Sequence, residues 1–249
     1  MDQLHLYEII GVALTLVASG FVKGVIGFGL PLVAMSLLSS FIPVDLALAL
    51  LVLPIVSTNL WQGLQGGYAL RIFKRFWTMI AMLGIGIFVG AAIVAGIDDR
   101  MLFLVIGVAV IVFVGFSVWQ PRFVLDEKTV RWLSPIVGFL SGIIGGISTI
   151  YGPPMLIVLT SLRLPKDFFV AAVGVILFSG SIFLTIAFST VKILTADLVL
   201  PSALSAAPVF AGMYAGRMLR NRIPQDGFRR VILFSLFLIS LNLIRRAVF

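Results

Sequence analysis

The sequence predicts an all-α, polytopic membrane protein, and its composition and hydropathy pattern support this prediction. Hydrophobic residues make up 61% of the 249 positions and charged residues 11%, against about 45–50% and 25% in soluble domains. Apolar runs long enough to cross a hydrocarbon core of roughly 30 Å recur along the chain. The polar remainder suffices only for short loops. We therefore expect a single transmembrane domain, 1–249, in the lipid bilayer.

Ten apolar runs predict the helices, and two stretches among them are unusual. The stretches 7–42 and 132–162 are each too short for two complete crossings, and both are rich in glycine and contain proline. Each is predicted to be a hairpin of broken helices, because irregular backbone at membrane depth is tolerated only where protein or water covers it. The runs are 7–22, 25–42, 45–65, 76–96, 101–119, 132–146, 150–162, 167–189, 196–216 and 229–244.

An internal duplication relates these two hairpins. Residues 20–27 read GFVKGVIG and residues 138–145 read GFLSGIIG, with five identities in eight positions. After a four-residue insertion the next polar and turn residues also align: Pro31, Leu37, Ser39, Pro43 and Asp45 with Pro153, Leu159, Ser161, Pro165 and Asp167. The chain is therefore interpreted as two internal repeats, 1–119 and 120–249, each a Gly/Pro-rich hairpin followed by three spans.

The distribution of basic residues indicates how the repeats are oriented. If both ends of each hairpin emerge on one side, the loops 65–75, 120–131, 163–167 and 217–230 place 13 basic residues there and leave four on the other side. This bias makes those loops cytoplasmic, puts both termini outside and inverts the second repeat. Inverted repeats are a transporter architecture in which the hairpins meet near the midplane. Eight plain spans with parallel repeats fit the hydropathy nearly as well, with a poorer charge bias.

Several classes of function are excluded or disfavoured by what the sequence lacks. It contains no cysteine and one histidine, His5, so thiolate chemistry, His-ligated metals and Ser–His catalysis are not predicted. An HExxH motif and paired intramembrane carboxylates are also missing, and we expect neither an enzyme nor a cofactor or metal. The net charge of +8 is attributed to cytoplasmic loops rather than to nucleic-acid binding.

The hairpins supply the first candidate binding residues. Broken helices expose backbone N–H groups and the positive end of a helix dipole, which favours an anion. Lys23 is the one charge placed well inside an apolar run, and we expect it to pair with an anionic substrate; the alternative is that it snorkels to the interface. The hairpin glycines provide either the anion site or only tight helix packing, as the GxxxG pairs Gly86/Gly90 and Gly212/Gly216 do. The glycines assigned to the site are Gly24, Gly27, Gly29 and Gly145.

Polar side chains complete the candidate site. Asn59 and Gln62 lie about one turn apart in the run 45–65, and Ser179 and Ser181 occupy the matching stretch of the second repeat. These groups line a pathway or bond neighbouring helices, and the sequence leaves both readings open. Ser148, Thr149 and Tyr151 fall at the tip of the second hairpin and are expected to contact substrate.

At the glycine-rich hairpins the chain resembles the sulfite exporter TauE/SafE family of bacterial membrane proteins. The residues that carry the resemblance are GFVKGVIGFGLP at 20–31 and GFLSGIIGGISTIYGPP at 138–154, together with the chain length and the duplication. The first hairpin departs from the commoner GxGGG form of the family, with Gly27, Phe28 and Gly29, and adds Lys23. The resemblance implies secondary export of small anions, chiefly sulfite, organosulfonates and related sulfur compounds, across the bacterial inner membrane.

Repeats and resemblance together predict a secondary transporter that works by alternating access on a small anionic substrate. A passive anion channel and a carrier of a different small organic anion are the alternatives. No Asp or Glu lies in the middle of a predicted span, so coupling through a buried acid is not predicted. A homodimer is compatible with the sequence.

Overall fold

The computed structural model describes residues 6–40, 42–119, 126–162 and 164–219, with five further positions between 234 and 245. Within these ranges every regular element is helical and no strand occurs. The predicted span 229–244 falls on residues of which only single positions are described, so it stays a prediction. The predicted all-α class is confirmed for the rest.

The helices follow the predicted apolar runs along the chain. A 3₁₀ turn at Gln65–Gly67 separates the third helix from the fourth. The helices are α1 Leu6–Ile26, α2 Leu30–Leu38, α3 Val44–Gly63, α4 Ala69–Val94, α5 Asp99–Trp119, α6 Glu127–Ser148, α7 Gly152–Ser161, α8 Lys166–Thr190, α9 Ala196–Leu204 and α10 Ala206–Leu219.

Two details differ from the prediction for physical reasons. The run 196–216 forms two helices, because Pro208 has no N–H to donate to the carbonyl of Leu204 and the chain breaks at Ser205 between them. The predicted loops 65–75 and 120–131 are also partly helical. Helix α4 already begins at Ala69, and helix α6 already begins at Glu127. Lysine and arginine are good helix formers, so the helices continue past the apolar runs.

Among the residues that the structure describes, five helical stretches are long and apolar enough to cross a membrane: Val44–Gly63, Ala69–Val94, Glu127–Ser148, Phe168–Thr190 and the combined stretch Ala196–Leu219. Shorter apolar stretches lie in α1, at Ile9–Val25, and in α5, at Arg100–Val112. In both predicted hairpins the first helix is long and the second short, with 21 and nine residues in α1 and α2 and 22 and ten in α6 and α7. The two hairpins thus share the same arrangement, a long helix followed by a short one.

The residues divide into two compact units that do not follow the predicted repeats. Unit 1 contains Met1–Pro54, Asp98–Val118 and Thr195–Phe249, and unit 2 contains Ile55–Ile97 and Trp119–Leu194. Each unit therefore combines segments from both sequence halves. The division 1–119 and 120–249 is a statement about sequence similarity and stays a prediction.

In unit 1 the long hairpin helix α1 packs against α10 through glycines on both helices. A Cβ added to Gly20 or Gly24 would overlap the carbonyl oxygens of Val209 or Met213 on α10. In the opposite direction, a Cβ on Gly212 or Gly216 would overlap carbonyl oxygens of α1. The GxxxG pair of α10 thus lets the two backbones approach to contact distance.

Unit 2 contains the same kind of crossing between α6 and α4. A Cβ on Gly142 would overlap the carbonyl oxygen of Leu83 and lie 2.8 Å from the Cα of Gly86, and one on Gly146 would lie 2.8 Å from the Cα of Gly90. In each unit the first helix of a hairpin therefore packs on a GxxxG helix from the other sequence half. Gly24 thus takes part in close packing, the second of the two roles considered for the hairpin glycines, and its place in the binding site stays a prediction.

One end of unit 2 is held together by an ion pair and aromatic contacts. The guanidinium of Arg75, in the first turns of α4, pairs with the carboxylate of Glu127, the first residue of α6. The same guanidinium lies 5.9 Å from the ring centroid of Phe168 near the start of α8, and that ring is 5.5 Å from the ring of Tyr68. The first residue of the α6–α7 hairpin and a residue that follows this hairpin thus contact the same side chain of α4.

Candidate functional site

The break in the first hairpin is formed by two glycines in left-handed conformation. Gly27 has φ of 92° and Gly29 has φ of 95°, values that residues with a Cβ rarely adopt. The amide of Gly27 donates to the carbonyl of Lys23 at 2.7 Å, and α2 begins directly after Gly29. Both glycines are required for the turn, so their presence in the predicted site has a conformational cause.

Lys23 lies one helical turn before this break and is 5% exposed. Among the described side chains it is the only charged one that is buried. Snorkelling along the protein surface would leave most of the side chain uncovered, and the observed burial argues against that alternative. Its neighbour Gly24 faces α10. The first candidate site is therefore a buried ammonium beside a helix break.

The break in the second hairpin is built without a glycine at its centre. Thr149 ends α6 in left-handed conformation, with φ of 63°, and its amide donates to the carbonyl of Gly145. The hydroxyl of Ser148 donates to the carbonyl of Ile144 at 2.7 Å and accepts from the amide of Ile150 at 3.2 Å. Ser148 therefore caps the turn with both of its hydrogen-bonding functions.

Tyr151 anchors this second break to α8. Its hydroxyl donates to the carbonyl oxygen of Leu177 at 2.9 Å, and the side chains of Asn59 and Ser181 interact with the same hydroxyl. The ring lies against Gly145 and Gly180, where an added Cβ would collide with ring atoms. The predicted residues Asn59, Gly145, Tyr151 and Ser181 are thus brought together in unit 2.

Other predicted polar residues in unit 2 use their hydrogen bonds elsewhere. The amide of Gln62 lies 3.5 Å from the carbonyl of Val170, and the hydroxyl of Ser179 donates to the carbonyl of Val175 within α8. Ser181, although it lies beside the hydroxyl of Tyr151, donates its own hydrogen to the carbonyl of Phe178 at 2.7 Å. These contacts tie helices together or stay within one helix, as expected for polar groups in a membrane interior.

Two hydroxyls of unit 2 have no hydrogen-bond partner although they are buried. They belong to Thr149, at the break, and to Ser141, two turns earlier on α6, and neither residue has any exposed surface. An unsatisfied buried hydroxyl costs about 1–3 kcal/mol, so a ligand that accepts its proton would be favoured. Ser141 was absent from the predicted site, although its alignment with Lys23 marked the position.

No group of three or more His, Cys, Asp or Glu residues that could hold a metal ion is present in the part of the chain that the structure describes. The candidate sites consist instead of the ammonium of Lys23, the hydroxyls of Ser141 and Thr149 and the amide of Asn59, together with the non-helical backbone at the two helix breaks. Such groups are suited to binding an anion by hydrogen bonds and charge.

Comparison with known families agrees with this chemistry. The sequence model of the family described as Sulfite exporter TauE/SafE matches residues 12–243. No curated protein and no solved structure matches the chain significantly. The match includes both hairpins, both glycine crossings and nearly all of the helical region. The chain is therefore a multi-pass membrane protein that belongs to the TauE/SafE sulfite exporter family.

Proposed function

We propose that the protein is a secondary transporter that exports a small sulfur-containing anion, sulfite or an organosulfonate, across the bacterial inner membrane. The proposal is supported by membership of a transporter family and by five helices of membrane-spanning length within the described part of the chain. Two broken hairpins of the same design support alternating access, since transporters with repeats bind substrate at discontinuous helices.

The burial of Lys23 is the observation that carries the proposal. An ammonium inside a membrane protein is costly, by about 2.5 kcal/mol or more on insertion scales, and marks a functional site by default. It lies beside backbone that Gly27 and Gly29 turn away from helical geometry. In a medium of low dielectric constant the attraction between this ammonium and a sulfite or sulfonate group is much stronger than in water.

The second hairpin, taken by itself, carries neutral donors rather than charge. Thr149 carries an unpartnered, buried hydroxyl at the break, and hydrogen bonds from hydroxyls select an oxyanion without holding it permanently. A transporter must release its substrate as well as bind it, and a neutral site serves release better than a second ammonium would.

Export of sulfite from liposomes that contain the purified protein tests the proposal. Labelled sulfite, a sulfonate, sulfate and a carboxylate should be compared under matched gradients, and we expect saturable efflux of sulfite or the sulfonate. Stimulation of efflux by the same anion on the opposite side distinguishes a carrier from a channel. Efflux equal to that of protein-free liposomes for every anion would refute the proposal.

A further inference from the structure

The helix α3 contains a proline in its interior, and a serine from α9 reaches into the helix at this point. The hydroxyl of Ser202 accepts a hydrogen bond from the amide of Leu53 at 3.1 Å. It also lies 2.8 Å from the carbonyl oxygen of Ala49 and 3.3 Å from that of Leu50. The single hydrogen of this hydroxyl is therefore shared between two consecutive carbonyls, about one helical turn before Pro54.

Pro54 explains why the backbone of α3 takes an outside partner here. In a regular helix the carbonyl of Leu50 would accept from the amide of residue 54, but proline has no N–H and its ring crowds that carbonyl. Inside a bilayer no water replaces the missing donor. Ser202 has no exposed surface and supplies both a donor and an acceptor at the interruption.

The location of this interruption has a consequence for the candidate site. The residues of unit 1 end at Pro54 and those of unit 2 begin at Ile55, so the chain passes between the units at the interruption. The segment that follows carries Asn59, whose side chain interacts with Tyr151, and Gln62. Any bend of α3 at Pro54 therefore acts on the segment that carries these polar groups.

We propose that Pro54 and Ser202 form a joint at which α3 bends during transport, and that Ser202 is a positioning residue for the segment 55–63. The proposal rests on the proposed function, because alternating access requires movement while buried backbone groups stay hydrogen-bonded. A hydroxyl rotates and can keep its donor and acceptor roles over a range of angles. A direct bond between an amide and a carbonyl of the same helix allows much less change.

A double-mutant experiment separates a joint from a purely structural contact. Ser202→Ala removes the hydroxyl and should lower the thermal unfolding temperature in detergent. Adding Pro54→Ala supplies an amide for the carbonyl of Leu50 and closes the helix, so the double variant should regain stability. Its sulfite efflux should nevertheless stay at least tenfold below wild type. A double variant that regains both stability and efflux would show that Ser202 only stabilises the fold.

The matched control is Ser205→Ala. Ser205 follows α9 directly and donates to the carbonyl of Pro201 at 2.9 Å, a contact within its own segment of the chain. This variant should leave both unfolding temperature and efflux near wild type. A tenfold loss of efflux in Ser205→Ala would attribute the effect to α9 in general and overturn the assignment to Ser202.

A distance measurement tests the joint without any substrate. The chain has no cysteine of its own, so nitroxide labels can be placed at exposed Asp45 and at Leu60, which is 39% exposed. These positions are about 22 Å apart along a straight helix. Double electron–electron resonance should give a broad or two-peaked distribution of the distance between the labels in the otherwise wild-type chain. The same distribution should be narrow in the Pro54→Ala/Ser202→Ala variant. Equal distributions overturn the joint, whereas failure of the wild type to move sulfite would count against the proposed function alone.

Discussion

The hydroxyl of Tyr151 donates to the carbonyl oxygen of Leu177, 2.9 Å away, and thereby fixes the second helix break to α8. Tyrosine has one hydroxyl hydrogen, so this hydrogen is not free for a substrate. Tyr151 was predicted from sequence as a substrate contact. Its geometry suits a residue that holds the break in place, and this difference can be measured.

Tyr151→Phe should lower the free energy of unfolding by about 1 kcal/mol, the usual net value of one hydrogen bond. Sulfite efflux should stay close to wild type, because the ring still fills the space beside Gly145 and Gly180. Chemical unfolding and efflux from liposomes measure the two effects. Tyr214→Phe is the control, since Tyr214 is 69% exposed. Loss of efflux with unchanged stability would instead indicate that Tyr151 contacts the substrate.

Thr149→Gly should stabilise the protein and impair transport. Left-handed backbone costs a residue with a Cβ roughly 1–2 kcal/mol, and the buried hydroxyl without a partner adds to this cost. Removing both should raise the unfolding temperature, while sulfite efflux falls because a donor at the break is lost. Lys192→Gly is a matched control, because Lys192 also has left-handed backbone, with φ of 60°, but is exposed. It should stabilise without changing efflux; an equal fall in both variants would speak against Thr149.

Lys23→Ser should leave expression and folding intact but reduce sulfite efflux tenfold or more, about 1.4 kcal/mol. Serine occupies the equivalent position 141, where it is also buried, so the fold does not need a cation there. Lys23→Arg should keep part of the efflux, and Lys23→Glu should abolish it by repelling the anion. Efflux of Lys23→Ser equal to wild type, at matched protein in liposomes, would move the binding site elsewhere.

Gly142→Ala should destabilise the protein by about 1–3 kcal/mol, the usual cost of inserting an atom into a packed interface. Its Cβ would overlap the carbonyl oxygen of Leu83, which is backbone and has little freedom to move. Gly115→Ala is the control, since no atom lies within 4 Å of the added Cβ in α5. Thermal unfolding in detergent compares the two. Equal unfolding temperatures would show that the crossing of α4 and α6 is looser than described.

The contact of Arg75 with Glu127 predicts that the start of α4 and the start of α6 are on the same side of the membrane. The charge bias predicts that this side is cytoplasmic. Single cysteines at Lys74 and Lys128, both exposed, should react with an impermeant reagent only from the cytoplasmic side. A cysteine near the N-terminus should react only from outside. A cytoplasmic N-terminus would contradict the inverted-repeat prediction.

Much of the local structure followed from the sequence because its causes are local. Long apolar runs form helices in a membrane, where the backbone must satisfy its own hydrogen bonds. The two hairpin breaks were predicted within the stretches 7–42 and 132–162 and occur at Gly27–Gly29 and Thr149–Tyr151. The resemblance to a family of anion exporters, stated on the same hairpin motifs, is confirmed by the family match.

The tertiary structure alone decided which residues meet. Glycine spacing showed that α4 and α10 could pack closely, but not that their partners are the hairpin helices α6 and α1. Likewise, the polar residues near the second break were visible in the sequence. Only the fold shows that the hydroxyl of Tyr151 donates to the carbonyl of Leu177, and that the hydroxyl of Thr149 has no partner. Apolar pattern and helix breakers act within a few residues of chain, whereas a hydrogen bond or a glycine contact depends on distance in space, which the sequence does not contain.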